Sequence, residues 1–129
     1  MALIDEFRIR RILFALDAAT DAPDSLEAAA EIAERLNAEL IGLFVEDVNL
    51  LRSAALPFVR EINLGSGEWR EFDPATVERE LRGRAARAQQ QLEESARRRR
   101  LTFSFRVARG DVSREVAAAA EEADLVILE

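Results

Sequence analysis

The stretch Ile-Leu-Phe-Ala-Leu at positions 12–16 decides the fold class of this sequence. Its five successive apolar residues show no polar alternation, so a strand formed here would be buried on both faces. Strands of this kind are typical of parallel sheets that carry helices on either side. Asp17 ends the run, and a polar loop extends to Pro23. We therefore expect a central parallel strand in a protein of the α/β class.

Further strands are predicted on both sides of this one. Apolar runs at positions 40–45 and 125–128 have the same character as the first and predict two more buried strands. Residues 101–107 instead alternate between apolar and polar, which predicts a strand with one exposed face at an edge of the sheet. Gly110 and Asp111 follow it and are predicted to open a helix.

Two other helices are marked by their ends. The first is predicted to begin with Asp24 as its cap and to end at Asn37, which tolerates a left-handed backbone. The second, longer helix is predicted to start at Pro74 and to end near the arginine run 97–100. We interpret that run as a solvated helix end whose positive charge complements the helix dipole.

The order of these elements predicts a doubly wound α/β domain. A strand-helix-strand unit needs a right-handed crossover, so consecutive parallel strands are joined by helices. The 129 residues suit one domain with an open parallel sheet, a flavodoxin-like or Rossmann-like three-layer sandwich. Residues 48–72 form an irregular connector or lid, in which the apolar residues around Gly65 and Gly67 permit a small hairpin or an ordered loop.

Composition excludes several classes of chemistry. The sequence has no His and no Cys, and all 18 basic residues are Arg. Ser-His and Cys-His nucleophiles, common zinc sites, Schiff-base chemistry and a Lys-dependent phosphate loop are therefore excluded from these residues. A net charge of −7 disfavours nucleic acid as a partner. Without a signal peptide or an apolar stretch long enough for a membrane span, a cytoplasmic location is expected.

The order and spacing of these segments resemble the universal stress protein family. The resemblance rests on residues 11–17, the Ala-rich first helix, the strand end at 43–47, and residues 109–111 with 124–128, and it spans nearly the whole chain from Arg11. It implies a strand order of 3-2-1-4 and a non-catalytic role in which an adenine nucleotide binds. It also implies a fifth strand, which is missing here.

The resemblance implies where a nucleotide would bind. In the family, an Asp ending the first strand lies against the adenosine part of ATP, and the backbone near a Val ending the second strand meets adenine. Magnesium is expected only with a bound nucleotide, aided by Glu46 and Asp47, and no catalytic residue or separate metal site is expected. Capping for the Asp and core packing for the Val are the alternative interpretations. The expected binding residues are Ala15, Leu16, Asp17, Val45, Gly110 and Leu128.

This sequence departs from the family at its end. Nucleotide-binding members carry a Gly-x-x-Gly motif after the fourth strand and a later Gly-Ser or Gly-Thr, whose backbone cradles the phosphates. The five glycines here do not have that spacing, and Glu129 stands where the family has Gly. We expect a truncated domain, with Leu128 and Glu129 as candidates for a cloning-derived end. An unpaired apolar last strand then predicts a homodimer or larger assembly.

Two functions remain after these steps. The first is a stress-response or regulatory domain whose full-length form binds ATP or a related adenine nucleotide. The second is an interaction module of the same fold that dimerises without any nucleotide. An enzymatic role is not expected, because no positioned electrophilic partner accompanies Asp17.

Overall fold

A computed structural model describes residues 8–16, 23–49, 60–62, 69–71 and 74–128 of the chain. Three helices and six strands lie in these ranges. The helices are α1 (Pro23–Leu36), α2 (Pro74–Arg98) and α3 (Val112–Ala120). The strands are β1 (Arg11–Leu16), β2 (Glu39–Asp47), β3 (Arg60–Ile62), β4 (Trp69–Glu71), β5 (Phe103–Gly110) and β6 (Leu125–Leu128). None of the helices in the described part is both long and apolar enough to cross a membrane.

Four strands form one parallel sheet in the order β5-β2-β1-β6. Leu13 of β1 lies opposite Ile41 of β2 on one side and Val126 of β6 on the other. When these four strands are numbered along the chain, their order is 3-2-1-4, which confirms the predicted topology. Strand β1 is central and its residues 12–16 are all buried, as the unbroken apolar run predicts.

The helices cover the two faces of the sheet unequally. On one face, Phe14 and Phe44 pack with the apolar stripes of α1 and α2, including Ala33 and Leu92. On the other face, Leu13, Ile41, Leu43 and Val45 pack against α3. Helix α3 contains no buried residue, although Val112 and Val116 lie against this second cluster. In the described part of the chain, the second face is therefore the more open one.

Several predicted boundaries differ from the observed ones. Strand β5 reaches Gly110, so this residue ends the strand instead of opening the next helix. Asp111 alone caps α3: its carboxylate accepts a hydrogen bond from the Arg114 amide. Helix α1 begins at Pro23, which places Asp24 in the first turn and not at the cap. Gly110 stays in the strand because β5 pairs with β2 as far as Asp47, its register partner. The local sequence around Gly110 does not reveal this pairing.

The short strands β3 and β4 pair antiparallel, with Ile62 opposite Trp69. This arrangement agrees with the hairpin permitted by the sequence within residues 48–72. Residues 50–59, 63–68 and 72 of this connector lie outside the described residues. Its predicted role as a lid stays a prediction.

The arginine run at the end of α2 joins two helices. Arg98 Nη2 lies 2.6 Å from Glu27 Oε1, and Arg99 contacts both Glu27 at 3.3 Å and Glu34 at 3.2 Å. Glu27 and Glu34 belong to α1, so the run forms ion pairs with the neighbouring helix and is more than a solvated end. Burial would raise the pKa of Glu27, but the hydrogen bonds and positive charges around it hold that pKa below its ordinary value.

Candidate functional site

A groove opens beside the carboxyl ends of β1 and β6. Its volume is about 380 Å³, which falls within the range of small-molecule sites. Ala15 and Leu128 are register partners on the two strands, and both line it. Helix α3 forms the facing wall. The described lining residues are Ala15, Leu16, Val112, Ser113, Val116, Ala117 and Leu128.

The cap of α3 sets the position of this wall. Asp111 has an extended backbone, with φ −75° and ψ 127°, and its side chain accepts a hydrogen bond from the Arg114 amide over 3.2 Å. Its carbonyl oxygen accepts from the Glu115 amide at 3.0 Å. These bonds start the helix directly after β5, so Val112 and Val116, one turn apart, face the sheet.

The structure brings together three of the six expected binding residues. Ala15, Leu16 and Leu128 line the groove. Val45 is only 1% exposed and belongs to the cluster that supports Val112 and Val116, so the structure gives it the core-packing place.

The other two expected residues do not line the groove in the described structure. Gly110 lies at the end of edge strand β5, opposite Asp47 and two strands away from β1, where the Glu115 side chain packs against it. Asp17 lies outside the described residues. The nucleotide-binding roles of all six residues stay predictions.

Sequence reasoning missed the contribution of α3. Val112 and Val116 were not among the expected binding residues, yet both are half-buried and border the groove. Ser113 and Ala117, which complete the wall, are exposed. The available signal was the pair of valines four residues apart immediately after a strand end, which places one side of the helix against the sheet edge.

A charged cluster occupies the other face of the sheet. Arg109 Nη2 lies 3.0 Å from Glu46 Oε2 and 2.6 Å from Glu78 Oε1. These two ion pairs connect β5, which carries Arg109, to β2 and α2. The hydrogen bond to Glu78 and the two carboxylates raise the pKa of Arg109, and Arg109 in turn lowers the pKa of Glu78. Because Glu46 is 7% exposed, its carboxylate depends on this arginine for a partner.

The contacts of Glu46 and Asp47 show how far their carboxylates are available to bind magnesium. Glu46 is engaged by Arg109, and Asp47 Oδ1 accepts a hydrogen bond from the Asn49 amide at 2.9 Å. Among the described residues, no group of three or more His, Cys, Asp or Glu side chains could hold a metal ion. The described carboxylates therefore stabilise local structure at this strand end.

The residues that line the groove are suited to binding a small molecule. Six of the described lining residues are aliphatic, and Ser113 supplies the one hydroxyl among them. Aliphatic walls shield a flat apolar group from water, and a few polar groups orient it. A nucleophilic mechanism would require a base next to that hydroxyl, and the described lining residues include none.

Among the comparisons with known proteins, the one with solved structures supports the architecture. A comparison with protein-family models gives no match, and neither does a comparison with curated proteins. Among solved structures, a protein from the universal stress protein family from Burkholderia pseudomallei matches with a TM-score of 0.66 and 24% identity, over 94% of this chain and 81% of the other.

Two further solved structures have the same arrangement. Universal stress protein UspA from Lactobacillus plantarum matches with a TM-score of 0.58 and 17% identity, over 94% of this chain and 77% of the other. A universal stress protein in complex with cAMP matches with a TM-score of 0.50 and 16% identity, over 92% and 75% respectively. The chain thus has an α/β flavodoxin-like fold, and more narrowly the fold of the universal stress proteins. The resemblance inferred from the sequence is confirmed at the level of the fold.

Proposed function

We propose that this chain is a non-catalytic regulatory domain of the universal stress protein type that binds an adenine nucleotide, such as ATP, in the groove between β1, β6 and α3. The observation that carries the proposal is the position of the groove. Strands β2 and β5 lie on one side of β1 and β6 lies on the other, so the strand order reverses there. Open α/β sheets bind ligands beyond the carboxyl ends of their strands at such a point.

The choice of an adenine ligand has two supports. The lining of Leu16, Val112, Val116 and their neighbours matches a flat, weakly polar ring. One of the structurally similar universal stress proteins is in complex with cAMP. Structural similarity at this level of identity supports a shared fold. The groove and its lining are therefore the second support for the proposed ligand.

Regulation would follow from a shift between conformations. A nucleotide that contacts both Ala15 at the end of β1 and Ala117 on α3 stabilises the conformations in which these elements are close. The changed surface is then what a partner recognises. No chemical step is needed for this regulation.

The proposal is tested by titrating ATP and cAMP into the full chain with isothermal titration calorimetry. Ala117→Leu adds a bulky side chain at an exposed groove position, where leucine is a good helix former. We expect saturable binding that this variant weakens at least about tenfold, equivalent to roughly 1.4 kcal/mol. Ala118→Leu, at the adjacent exposed position that does not line the groove, is the matched control. Absence of binding, or equal binding by both variants, contradicts the proposal.

A second function is favoured by a separate observation. Strand β6 pairs with β1 only, among the described residues, and its sequence Leu-Val-Ile-Leu carries no charge. The other edge strand, β5, carries Arg106 and Arg109. Charged residues protect sheet edges from pairing with other chains, whereas an uncharged apolar edge favours such pairing. The alternative is therefore a nucleotide-independent homodimerising module.

A further inference from the structure

A second cavity lies along α2 and is separate from the groove. Its volume is about 560 Å³, which falls within the range of small-molecule sites. Helix α2 packs on the face of the sheet that contains Phe14 and Phe44, whereas α3, which walls the groove, packs on the other face. The described residues that line the second cavity all belong to α2; they are Thr76, Arg79, Glu80, Gly83, Arg84 and Arg87.

These lining residues form one stripe along the helix, because they recur at intervals of three or four positions. Four of them directly precede a buried residue of α2; for example, Arg84 precedes Ala85 and Arg87 precedes Ala88. One residue turns a helix by about 100°, so the stripe lies beside the buried side of α2. The cavity therefore runs along the flank of the helix.

The cavity is positively charged in an acidic protein. Its described lining has three arginines and one carboxylate, that of Glu80, whereas the whole chain has a net charge of −7. Arg84 and Arg87 are three positions apart, so they are neighbours on the helix surface and repel each other. An anion in the cavity would offset this repulsion. The charge of the lining therefore indicates an anionic ligand.

Two of the arginines have no carboxylate partner among the described residues. Arg79 Nε donates to the carbonyl oxygen of Ala75 in its own helix over 3.4 Å. Neither Arg79 nor Arg87 forms an ion pair within the described part of the chain, and both are exposed. By contrast, Arg82 of the same helix pairs with Glu78 at 3.1 Å. An anion that binds to Arg79 and Arg87 therefore displaces no described carboxylate.

Gly83 leaves space in the middle of the stripe. It is an interior residue of the 25-residue helix α2, where glycine is much less favourable than alanine. Packing among the described residues does not require it: a methyl group at this position would have Arg87 Nη1 as its nearest neighbour, at 3.7 Å. The missing side chain leaves room beside the Arg87 guanidinium. Glycine at such a position allows a ligand to approach the backbone closely.

The spacing of the arginines indicates an anion longer than one phosphate. Arg79 and Arg87 are eight residues apart, which corresponds to about 12 Å along the helix, and Arg84 lies between them. Each guanidinium group can form paired hydrogen bonds with one phosphate group. We propose that this flank of α2 binds a linear oligophosphate, an anion with several phosphate groups in a row. The inference does not depend on the proposed adenine function, because the two cavities lie on different helices.

The first test titrates tripolyphosphate and orthophosphate into the full chain by calorimetry, at low salt and without magnesium. We expect saturable binding of tripolyphosphate, at least about tenfold tighter than that of orthophosphate. Added salt should weaken this binding because it screens the charges. Equal binding of the two anions, or no binding, overturns the proposal. A short polyglutamate peptide that binds as tightly as tripolyphosphate overturns the assignment to phosphate.

A double variant tests the arginines. Arg79→Gln with Arg87→Gln removes two positive charges from the cavity and should weaken tripolyphosphate binding at least about tenfold. The control is Arg35→Gln with Arg97→Gln, which removes the same charge from two exposed ion pairs outside the described lining. It should change the affinity by less than about threefold. Equal losses in the two double variants would mean that only the net charge matters, and the site would be wrong.

Two further variants test the shape and the sign of the site. Gly83→Leu fills the space beside Arg87 with a good helix former and should weaken binding at least about fivefold. Ala86→Leu, at an exposed position outside the described lining, is its control and should have no effect. Glu80→Gln removes the one described carboxylate of the lining, so affinity for tripolyphosphate should rise. A fall in affinity would contradict the proposed contact with an anion.

The variants also separate this site from the groove. Ala117→Leu, which alters the groove, should leave tripolyphosphate binding unchanged, and the Arg79 and Arg87 double variant should leave adenosine binding unchanged. If Ala117→Leu weakens tripolyphosphate binding as much as the double variant does, the phosphates bind in the groove and the α2 site is wrong. If tripolyphosphate binds through the arginines while no adenine ligand binds, only the proposed adenine function is overturned.

Discussion

Gly42 of β2 and Phe105 of β5 are register partners, and a methyl group on Gly42 would lie 2.8 Å from Cδ2 of the Phe105 ring. The same methyl group would lie 3.2 Å from Cδ1 of Leu92 on α2. The aromatic ring and the leucine therefore occupy the space that a side chain at position 42 would need. Glycine lets α2 pack closely over the sheet at this point.

We expect Gly42→Ala to lower the free energy of unfolding by about 1–3 kcal/mol, because the core must shift to accept the methyl group. Urea denaturation followed by circular dichroism measures this change. The contrasting variant is Gly83→Ala on α2, where the nearest atom to the new methyl is Arg87 Nη1 at 3.7 Å. It should stabilise the chain by about 0.5–1 kcal/mol through helix propensity. Equal effects of the two variants would contradict the packing explanation.

Arg99 should stabilise the contact between α1 and α2. Its side chain is 25% exposed and reaches both Glu27 and Glu34, so Arg99→Met is expected to cost about 1 kcal/mol. The control is Arg35→Met, which removes an exposed pair with Glu31 within one helix and should cost less than about 0.5 kcal/mol. Chemical denaturation of both variants measures the two losses in the free energy of unfolding. A smaller loss for Arg99 than for Arg35 would show that the interhelical pairs contribute nothing.

The hydrogen bond that Asp111 accepts at the start of α3 should stabilise the protein more than the negative charge of Asp111 does. Asp111→Ala removes the acceptor for the Arg114 amide and is expected to cost about 1 kcal/mol, whereas Asp111→Asn retains an acceptor and should cost only a few tenths. Thermal unfolding of the two variants measures the difference. Because α3 forms one wall of the groove, the alanine variant should also weaken ligand binding. Similar losses for Ala and Asn would mean that charge, and not the hydrogen bond, is what matters.

Asp124 should contribute a pH-dependent stability. Its Oδ2 accepts from the Arg10 amide at 2.8 Å and the Arg11 amide at 3.1 Å, and these bonds hold its pKa below the ordinary 3.8. A carboxyl with a lowered folded pKa adds stability above its unfolded pKa and loses it as pH falls through the folded value.

The matched variant for this residue is Asp124→Asn. Urea midpoints of the two proteins should differ most near neutral pH and converge as pH falls below about 3.8. If the difference between the two urea midpoints stays constant over this range, the ionisation of Asp124 does not contribute to the stabilisation.

Strand β6 should promote association in the absence of ligand. Leu128 is 66% exposed at the end of an uncharged strand, so we expect a dimer or larger assembly by light scattering at high protein concentration. Leu128→Lys places a charge at this edge and should shift the population toward monomer. Val107→Lys, on the charged edge strand β5 where Val107 is 50% exposed, is the control. A wild-type monomer at every concentration contradicts the prediction.

The central part of the fold could be read from local patterns. Strands β1 and β2 lie inside the sheet and are largely buried, and each is a short apolar run in the sequence. Strand β6 has the same kind of run but lies at an edge of the described sheet and is only partly buried, contrary to the predicted full burial. Strand β5 lies at the other edge, as its alternating sequence predicts. Right-handed crossovers and the family resemblance then gave the observed strand order. Asn37 ends α1 with φ 52°, as its side chain permits. Arg100, with φ 56°, carries no such signal and was not predicted.

Contacts between distant residues had no such local signature. Glu46 was considered as a magnesium ligand, yet its partner Arg109 is 63 residues away and Glu78 is a further member of the same cluster. The arginine run gave no sign that Arg98 would meet Glu27, 71 residues earlier. Ion pairs of this kind depend on which helix packs beside which, and a charged residue has the same local pattern with or without a partner.

The sequence by itself determined the α/β fold class and the positions of the strands, and the family resemblance supplied the strand order. Periodicity and burial are local properties, so each apolar run shows how many of its faces the fold will cover. Only the tertiary structure decided that Leu128, Ala15 and the open side of α3 enclose one groove, and that Val45 lies beneath it in the core. That outcome depends on the packing of three separate elements, which no single segment encodes.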